Sequence, residues 1–167
     1  MLCVYCNLKE LNFGQLMELY GGGNRENAEY QYPGDDLNIG ILKSEQDFYQ
    51  YLQEVFFTTE GASYAVWEEH GCYMSALRLE PYRDGLLLEA LETHPGYRRR
   101  GYAKTLISAV LEVLKQSGIS TVYAHVDKRN EASLRAHVSC GFRRVAEQAV
   151  YIDGSVNRRG CTLQYFF

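Results

Sequence analysis

The sequence predicts a single α/β domain over residues 1–167, a mixed, mostly antiparallel sheet of about seven strands flanked by four helices. Three observations carry that prediction. Hairpin signals at His70-Gly71 and Asp84-Gly85 join three apolar runs between Ser63 and Leu91, the pattern of an antiparallel meander. A strand, a helix and a second strand then follow between Leu86 and Val126, and strands joined by such a crossover run parallel. A chain of 167 residues, 46% of them hydrophobic, can bury a core without disulfide or metal staples.

The elements follow in order. Leu2–Tyr5 is a short apolar opening strand. Asn7 and Glu10 have capping-box spacing and predict a first helix from Leu8 to about Tyr20, ended by Gly21-Gly22-Gly23. Arg25–Asp36 is polar, holds Pro33-Gly34 and reads as a loop. Ser44 and Asp47 repeat the capping box, and Phe48, Tyr51, Leu52, Val55 and Phe56 line one face of a second helix that stops before Gly61. Strands at Ser63–Glu68 and Cys72–Glu80 lead to the run Leu86–Thr93. The third helix carries Ala103, Leu106, Ile107, Val110, Leu111 and Leu114 on one face and reaches Ser117. Thr121–Val126 is a buried strand. Asn130 caps a fourth helix that closes at Cys140-Gly141. Phe142–Ile152 and Cys161–Phe167, parted by a turn at Asp153-Gly154, complete the sheet.

Composition narrows the function. A formal net charge of −4 argues against nucleic acid as the main partner, and no apolar stretch suits a membrane span or secretion signal. Five scattered cysteines, an odd number, suit reduced thiols in a cytoplasmic protein. Cys3 and Cys6 form a lone C-x-x-C without the second pair of a zinc site, so no metal is expected.

The most informative stretch is Leu86–Thr93 continuing through His94-Pro95-Gly96 into the helix start at Arg98–Lys104. Unpaired N–H groups and the positive dipole end make a helix start an anion site. Arg98, Arg99 and Arg100 add donors suited to phosphate, and Gly101 lets the backbone approach a ligand. Gly96 and Gly101 have the spacing of an ATP-binding loop, but Tyr102 stands where its lysine must be.

Arg98-x-x-Gly101-x-Ala103, followed by Asn130-Glu131-Ala132-Ser133 and Cys140-Gly141-Phe142, resembles the two motifs of the GNAT superfamily of acetyl-CoA-dependent N-acetyltransferases. The resemblance covers roughly Leu86 to Val145, and the N-terminal half matches in element order alone. It implies that the Leu91 and Thr93 backbone pairs with the pantetheine arm of acetyl-CoA like an added strand. It implies that Arg98, Arg99, Arg100, Gly101, Tyr102, Ala103 and Lys104 hold the pyrophosphate, and that Asn130 contacts the pantetheine or its sulfur end. The implied reaction is direct acetylation of a primary amine of a small molecule or peptide. The chain would act as a monomer or homodimer, without metal, nucleic acid or membrane. The rival reading is a non-catalytic module that senses acyl-CoA.

Acetylating an amine requires removal of a proton, because a lysine-like ammonium has a pKa of about 10.4. Glu89, four residues before Thr93 and on the same face of a regular strand, is the candidate base; pairing with an arginine is its alternative role. Glu92 points the opposite way unless a bulge intervenes. His137 stands seven residues after Asn130, where many family members carry a tyrosine that protonates the leaving sulfur, so the resemblance implies an acid there. A buried, hydrogen-bonded imidazole is the alternative, with Tyr102 or Tyr123 as substitute acids. His125 can line the acceptor site, and Cys140 reads as a small helix residue rather than a nucleophile. Glu26, Glu29, Asp35 and Asp36 suit either a cationic acceptor or a solvated acidic loop.

Overall fold

The computed structural model describes residues 1–167. Its strands are β1 (Leu2–Tyr5), β2 (Ser63–Glu69), β3 (Cys72–Tyr82), β4 (Gly85–Thr93), β5 (Thr121–Asp127), β6 (Arg143–Ala146), β7 (Ala149–Val150), β8 (Val156–Asn157) and β9 (Gly160–Phe166). Seven of them form one sheet in the order β1-β2-β3-β4-β5-β9-β6, and β7 and β8 make a separate ribbon. Only β4 and β5 pair in parallel; every other neighbour is antiparallel. The mixed sheet and its parallel crossover agree with the sequence.

Two helix pairs cover the two faces. α1 (Phe13–Gln31) and α2 (Leu37–Glu54) lie on one face, where Leu16, Leu19, Leu52 and Phe56 pack on Tyr64, Val66 and Ala76. α3 (Tyr102–Gln116) covers the other, where Leu106, Ile107, Val110 and Leu111 pack on Leu77, Leu79, Leu88, Val122 and Ala124. α4 (Glu131–Ser139) sits beside α3. The strands serve both cores because successive side chains alternate between faces: Ala76 goes to one core, Leu77 to the other.

The N-terminal helices correct the sequence reading. α1 is capped by Asn12, whose Oδ1 accepts from Gln15 N at 3.1 Å, so it starts at Phe13 rather than Leu8. Asn7 does accept from Glu10 N, but only within a turn. The helix runs straight through Gly21-Gly22-Gly23, because buried Leu19 before them and Ala28 after them dock the same rod on the protein. Most of the expected loop, Arg25–Gln31, is therefore helical. α2 starts at Leu37 under Asp36, whose Oδ1 accepts from Asn38 N at 3.0 Å. Ser44 is not a cap but a buried residue inside that helix. The two helices approach closely at Gly40, where a Cβ would stand 3.4 Å from that of Ala28.

The expected strand Phe142–Ile152 is divided into β6 and β7, with a register shift between Arg144 and Ala146. No helix is long and apolar enough to cross a membrane.

Candidate active site

β4 and β5 pair only through Leu86↔Val122, Leu87↔Tyr123 and Leu88↔Ala124. Beyond that they part, because β4 bulges at Ala90, whose φ is 52°. A groove of about 700 Å³ opens beside the end of β4, between it, the start of α3 and α4. Leu91, Glu92 and Thr93 line it from β4, Arg98, Arg99 and Gly101–Lys104 from the helix start, and Asn130, Ser133 and Ala136 from α4. The expected cofactor residues Leu91, Thr93, Arg98, Arg99, Gly101, Tyr102, Ala103, Lys104 and Asn130 thus meet in one place. Arg100 does not line it; its guanidinium lies 5.2 Å over the Tyr97 ring.

The helix end of this groove fits an anionic group. Gly101 caps α3 with φ 88° and gives no side-chain cap bond. The first N–H turned back into the helix is that of Thr105, bonded to Gly101 O at 2.9 Å. The N–H groups of Tyr102, Ala103 and Lys104 precede it and have no helical acceptor. A Cβ at Gly101 would meet nothing within 4 Å, so the left-handed backbone, not crowding, requires glycine. Arg98 is drawn back onto β4, donating Nε to Thr93 O at 3.3 Å and reaching Glu92 at 3.5 Å. Asn130 Oδ1 accepts from Ser133 N at 3.0 Å, which leaves its amide nitrogen as a donor beside the groove.

The bulge also decides where the carboxylates face. Opposite Arg78 and Ala76 on β3 stand Glu89 and Glu92, so two residues of β4, Ala90 and Leu91, lie against one of β3, Leu77. Glu89 and Glu92 therefore share the face covered by α1 and α2, where a regular strand would oppose them. Tyr20 of α1 braces the bulge, donating its hydroxyl to Ala90 O at 2.7 Å. Glu89 accepts from Arg78 Nη2 at 2.9 Å, with side chains only 18% and 15% exposed. The Arg78 guanidinium lies over the Tyr51 and Phe56 rings at 5.4 and 5.5 Å. Glu80, 7% exposed, stands on the same face of β3; burial and then the charge of Glu89 push it up to about 7. Burial also raises Glu92, against the pull of Arg98.

His125 of β5 borders this face between Tyr82 and Tyr151, whose rings meet it edge-on at 5.5 and 5.4 Å. Both of its ring nitrogens are buried without a partner. Burial lowers its pKa and Glu89 opposes that shift, so the imidazole is neutral at pH 7. Tyr123 donates its hydroxyl to Asp84 at 2.6 Å and Tyr102 donates to Glu69 at 2.8 Å, so neither phenol proton is idle.

The structure does not bring His137 to the groove. Its ring is 2% exposed and packs edge-on against Phe142 at 5.2 Å. Nδ1 lies 2.8 Å from Ser133 O, a pure acceptor, so Nδ1 carries the hydrogen. Burial lowers the pKa, and the neutral ring has no proton on Nε2 to give. Cys140 is lodged between α3 and α4, its Sγ 3.6 Å from Ser108 Oγ and 3.7 Å from Lys104 O. No group of three or more His, Cys, Asp or Glu side chains is placed to hold a metal ion.

Arg78, Glu80 and Tyr20 were not among the sequence candidates. For the first two a signal exists: Arg78 and Glu80 interrupt an otherwise apolar strand at alternate positions, which places two charges on one buried face.

The groove and fold together define the class. Residues 28–142 match the acetyltransferase (GNAT) family, and the chain belongs to that family. A [ribosomal protein bS18]-alanine N-acetyltransferase from Haemophilus ducreyi is 32% identical over 75 residues, 43% of this chain and 52% of the relative. The match therefore spans about half the length of that relative. Among solved structures, the PaiA N-acetyltransferase of Thermoplasma acidophilum in complex with coenzyme A shares the fold, with TM-score 0.67 and 14% identity over 100% of this chain and 99% of that one. A ribosomal-protein-alanine N-acetyltransferase from Brucella melitensis does so with TM-score 0.62 and 16% identity, covering 100% and 99%.

Proposed function

We propose that the chain binds acetyl-CoA in the groove between the end of β4, the start of α3 and α4, and acetylates a primary amine that approaches from the α1/α2 face. The observation that carries this reading is the placement of unpaired N–H groups at Tyr102–Lys104 in one groove with the unpaired edge of β4. The helix start suits the pyrophosphate, and the edge at Leu91–Thr93 suits the amides of the pantetheine arm. Arg98 and Arg99 add charge at that end, and the Asn130 amide nitrogen reaches toward the sulfur end.

The acceptor face carries Glu89 and Glu92, and the charge of Glu26 on α1 adds to the rise in the Glu92 pKa. Clustered carboxylates suit an acceptor that arrives as a cation. The alanine N-acetyltransferase relative favours a peptide α-amine, and polyamines or aminoglycosides share its charge. Glu89 is the base that removes the ammonium proton. Backbone N–H groups beside the bulge polarise the thioester carbonyl, and the amine attacks it directly. A thiol of pKa about 8.5 leaves with modest help, so hydrogen bonding by Asn130 suffices and His137 takes no part.

The test follows thiol release from acetyl-CoA with an alanine-terminated peptide, spermidine and kanamycin. Amine-dependent release with any of them supports the reading. Tight acetyl-CoA binding with no release across a wider amine panel would replace it with an acyl-CoA-sensing module.

A further inference from the structure

The β3–β4 register places Arg78 opposite Glu89 and Glu80 opposite Leu87, on consecutive same-face positions of adjacent strands. One guanidinium and two carboxyl groups therefore share a buried patch. Glu80 and Glu89 are diagonal neighbours on that face, near enough for the charge of Glu89 to push the Glu80 carboxyl up. The remaining groups facing the patch are Tyr51 of α2, Tyr64 of β2, Tyr20 of α1 and His125 of β5. All four are neutral near pH 7; Glu92 on the same face pairs with Arg98 and Arg83 lies over the Tyr82 and Tyr123 rings, so Arg78 is the cation paired with Glu89 beside Glu80. The patch is neutral with one proton on the pair and carries a buried negative charge without it.

We propose that Glu80 is a positioning residue that receives the proton Glu89 takes from the acceptor amine, so that the two carboxyl groups act as one acid–base unit. The inference rests on Glu89 being the base. The ammonium N–H bond breaks and its proton passes to Glu89, then to the Glu80 carboxylate, which restores the Glu89 carboxylate against Arg78. The amine lone pair forms the C–N bond while the C–S bond breaks and its electrons leave with sulfur. The second N–H proton neutralises the thiolate, and the pair gives its proton to solvent as product leaves. The rise of Glu80 to about 7 agrees with this, since the pair is then loaded and unloaded near neutrality.

Two measurements test the proposal. In the wild-type protein, the infrared carbonyl band of a protonated carboxylic acid should titrate near neutral pH, and Glu80→Gln should abolish it. Absence of that band, or its persistence in Glu80→Gln, overturns the proposal without any acceptor being known. With whichever of the peptide, spermidine or kanamycin turns over, Glu80→Gln should lower kcat about tenfold, leave KM for acetyl-CoA unchanged, and move the acid limb of the pH profile down by about one pH unit or more. Glu80→Asp, which keeps the carboxyl group, should retain the near-neutral limb. An unchanged limb in Glu80→Gln, with Glu89→Gln severely slowed, overturns the role of Glu80 alone. Full activity in Glu89→Gln overturns the base assignment and the proposal with it.

Discussion

The groove proposed for the cofactor and the face proposed for the acceptor lie on either side of β4 and are built in opposite ways. The groove is lined by residues of one stretch, Leu91–Lys104, and by α4 from its cap Asn130 to Ser139. Its chemistry lies in N–H groups that a strand edge and a helix end leave unpaired. The acceptor face is made of side chains from α1, α2, β3, β4 and β5: Tyr20, Tyr51, Arg78, Glu80, Glu89 and His125. A backbone site tolerates side-chain change except where the conformation itself demands glycine. A side-chain site depends on each partner and on the register that unites them.

Removing one partner from the acceptor face should have the largest effect on stability. Arg78→Met leaves two buried carboxyl groups without a cation, at a cost of about 3 kcal/mol in denaturant unfolding. Because the groove does not use Arg78, coenzyme A affinity measured by calorimetry should be nearly unchanged. Parallel loss of coenzyme A binding would break the separation between the two regions.

The converse change is Gly101→Val. A β-branched residue at φ 88° is a strong outlier, and its side chain would project where the phosphates are expected. Coenzyme A affinity should fall on the order of a hundredfold, about 2.7 kcal/mol. The near-neutral titration of Glu80 should persist. Tight binding in Gly101→Val would remove the phosphate assignment.

The same contrast explains what could be read from the sequence. The run from Leu86 to Lys104 and the cap at Asn130 are local, and their spacing carried over into the structure. The start of α1 was misplaced because Asn7 and Asn12 both precede acceptable helical residues, and only docking of Leu16 and Leu19 selects the second. Gly21-Gly22-Gly23 is a poor helix by propensity, overridden by packing on both sides. The direction of Glu92 depended on a single bulged residue, Ala90, that carries no sequence mark. Glu80 and Arg78 gain meaning only through their register with Glu89, which is a long-range fact.

A smaller effect separates the two regions by pH. Glu80 has its folded pKa raised from 4.5 to about 7, so the folded state binds more protons than the unfolded state across that window. The stabilisation from protonated Glu80 is complete below about 4.5 and is lost as pH rises through about 7. Urea unfolding should show wild-type stability falling between pH 5 and pH 8, and Glu80→Gln should flatten that fall. An equally steep fall in Glu80→Gln would assign it to other groups.

The smallest expected effect is that of His137→Phe, and it bears most directly on how the groove works. The substitution removes one hydrogen bond, Nδ1 to Ser133 O, and also removes a buried Nε2 that has no partner. Each change is worth about 1 kcal/mol and they oppose one another, so stability should stay within about 1 kcal/mol. The ring already packs edge-on against Phe142, and a phenyl ring can do the same. A neutral imidazole with its hydrogen on Nδ1 has no proton for the leaving sulfur, so kcat and its pH profile should match the parent. A loss of about a hundredfold together with the alkaline limb would restore His137 as the acid. It would also show that the ring leaves its place beneath α4 when the groove is filled, since only then could Nε2 meet the thioester.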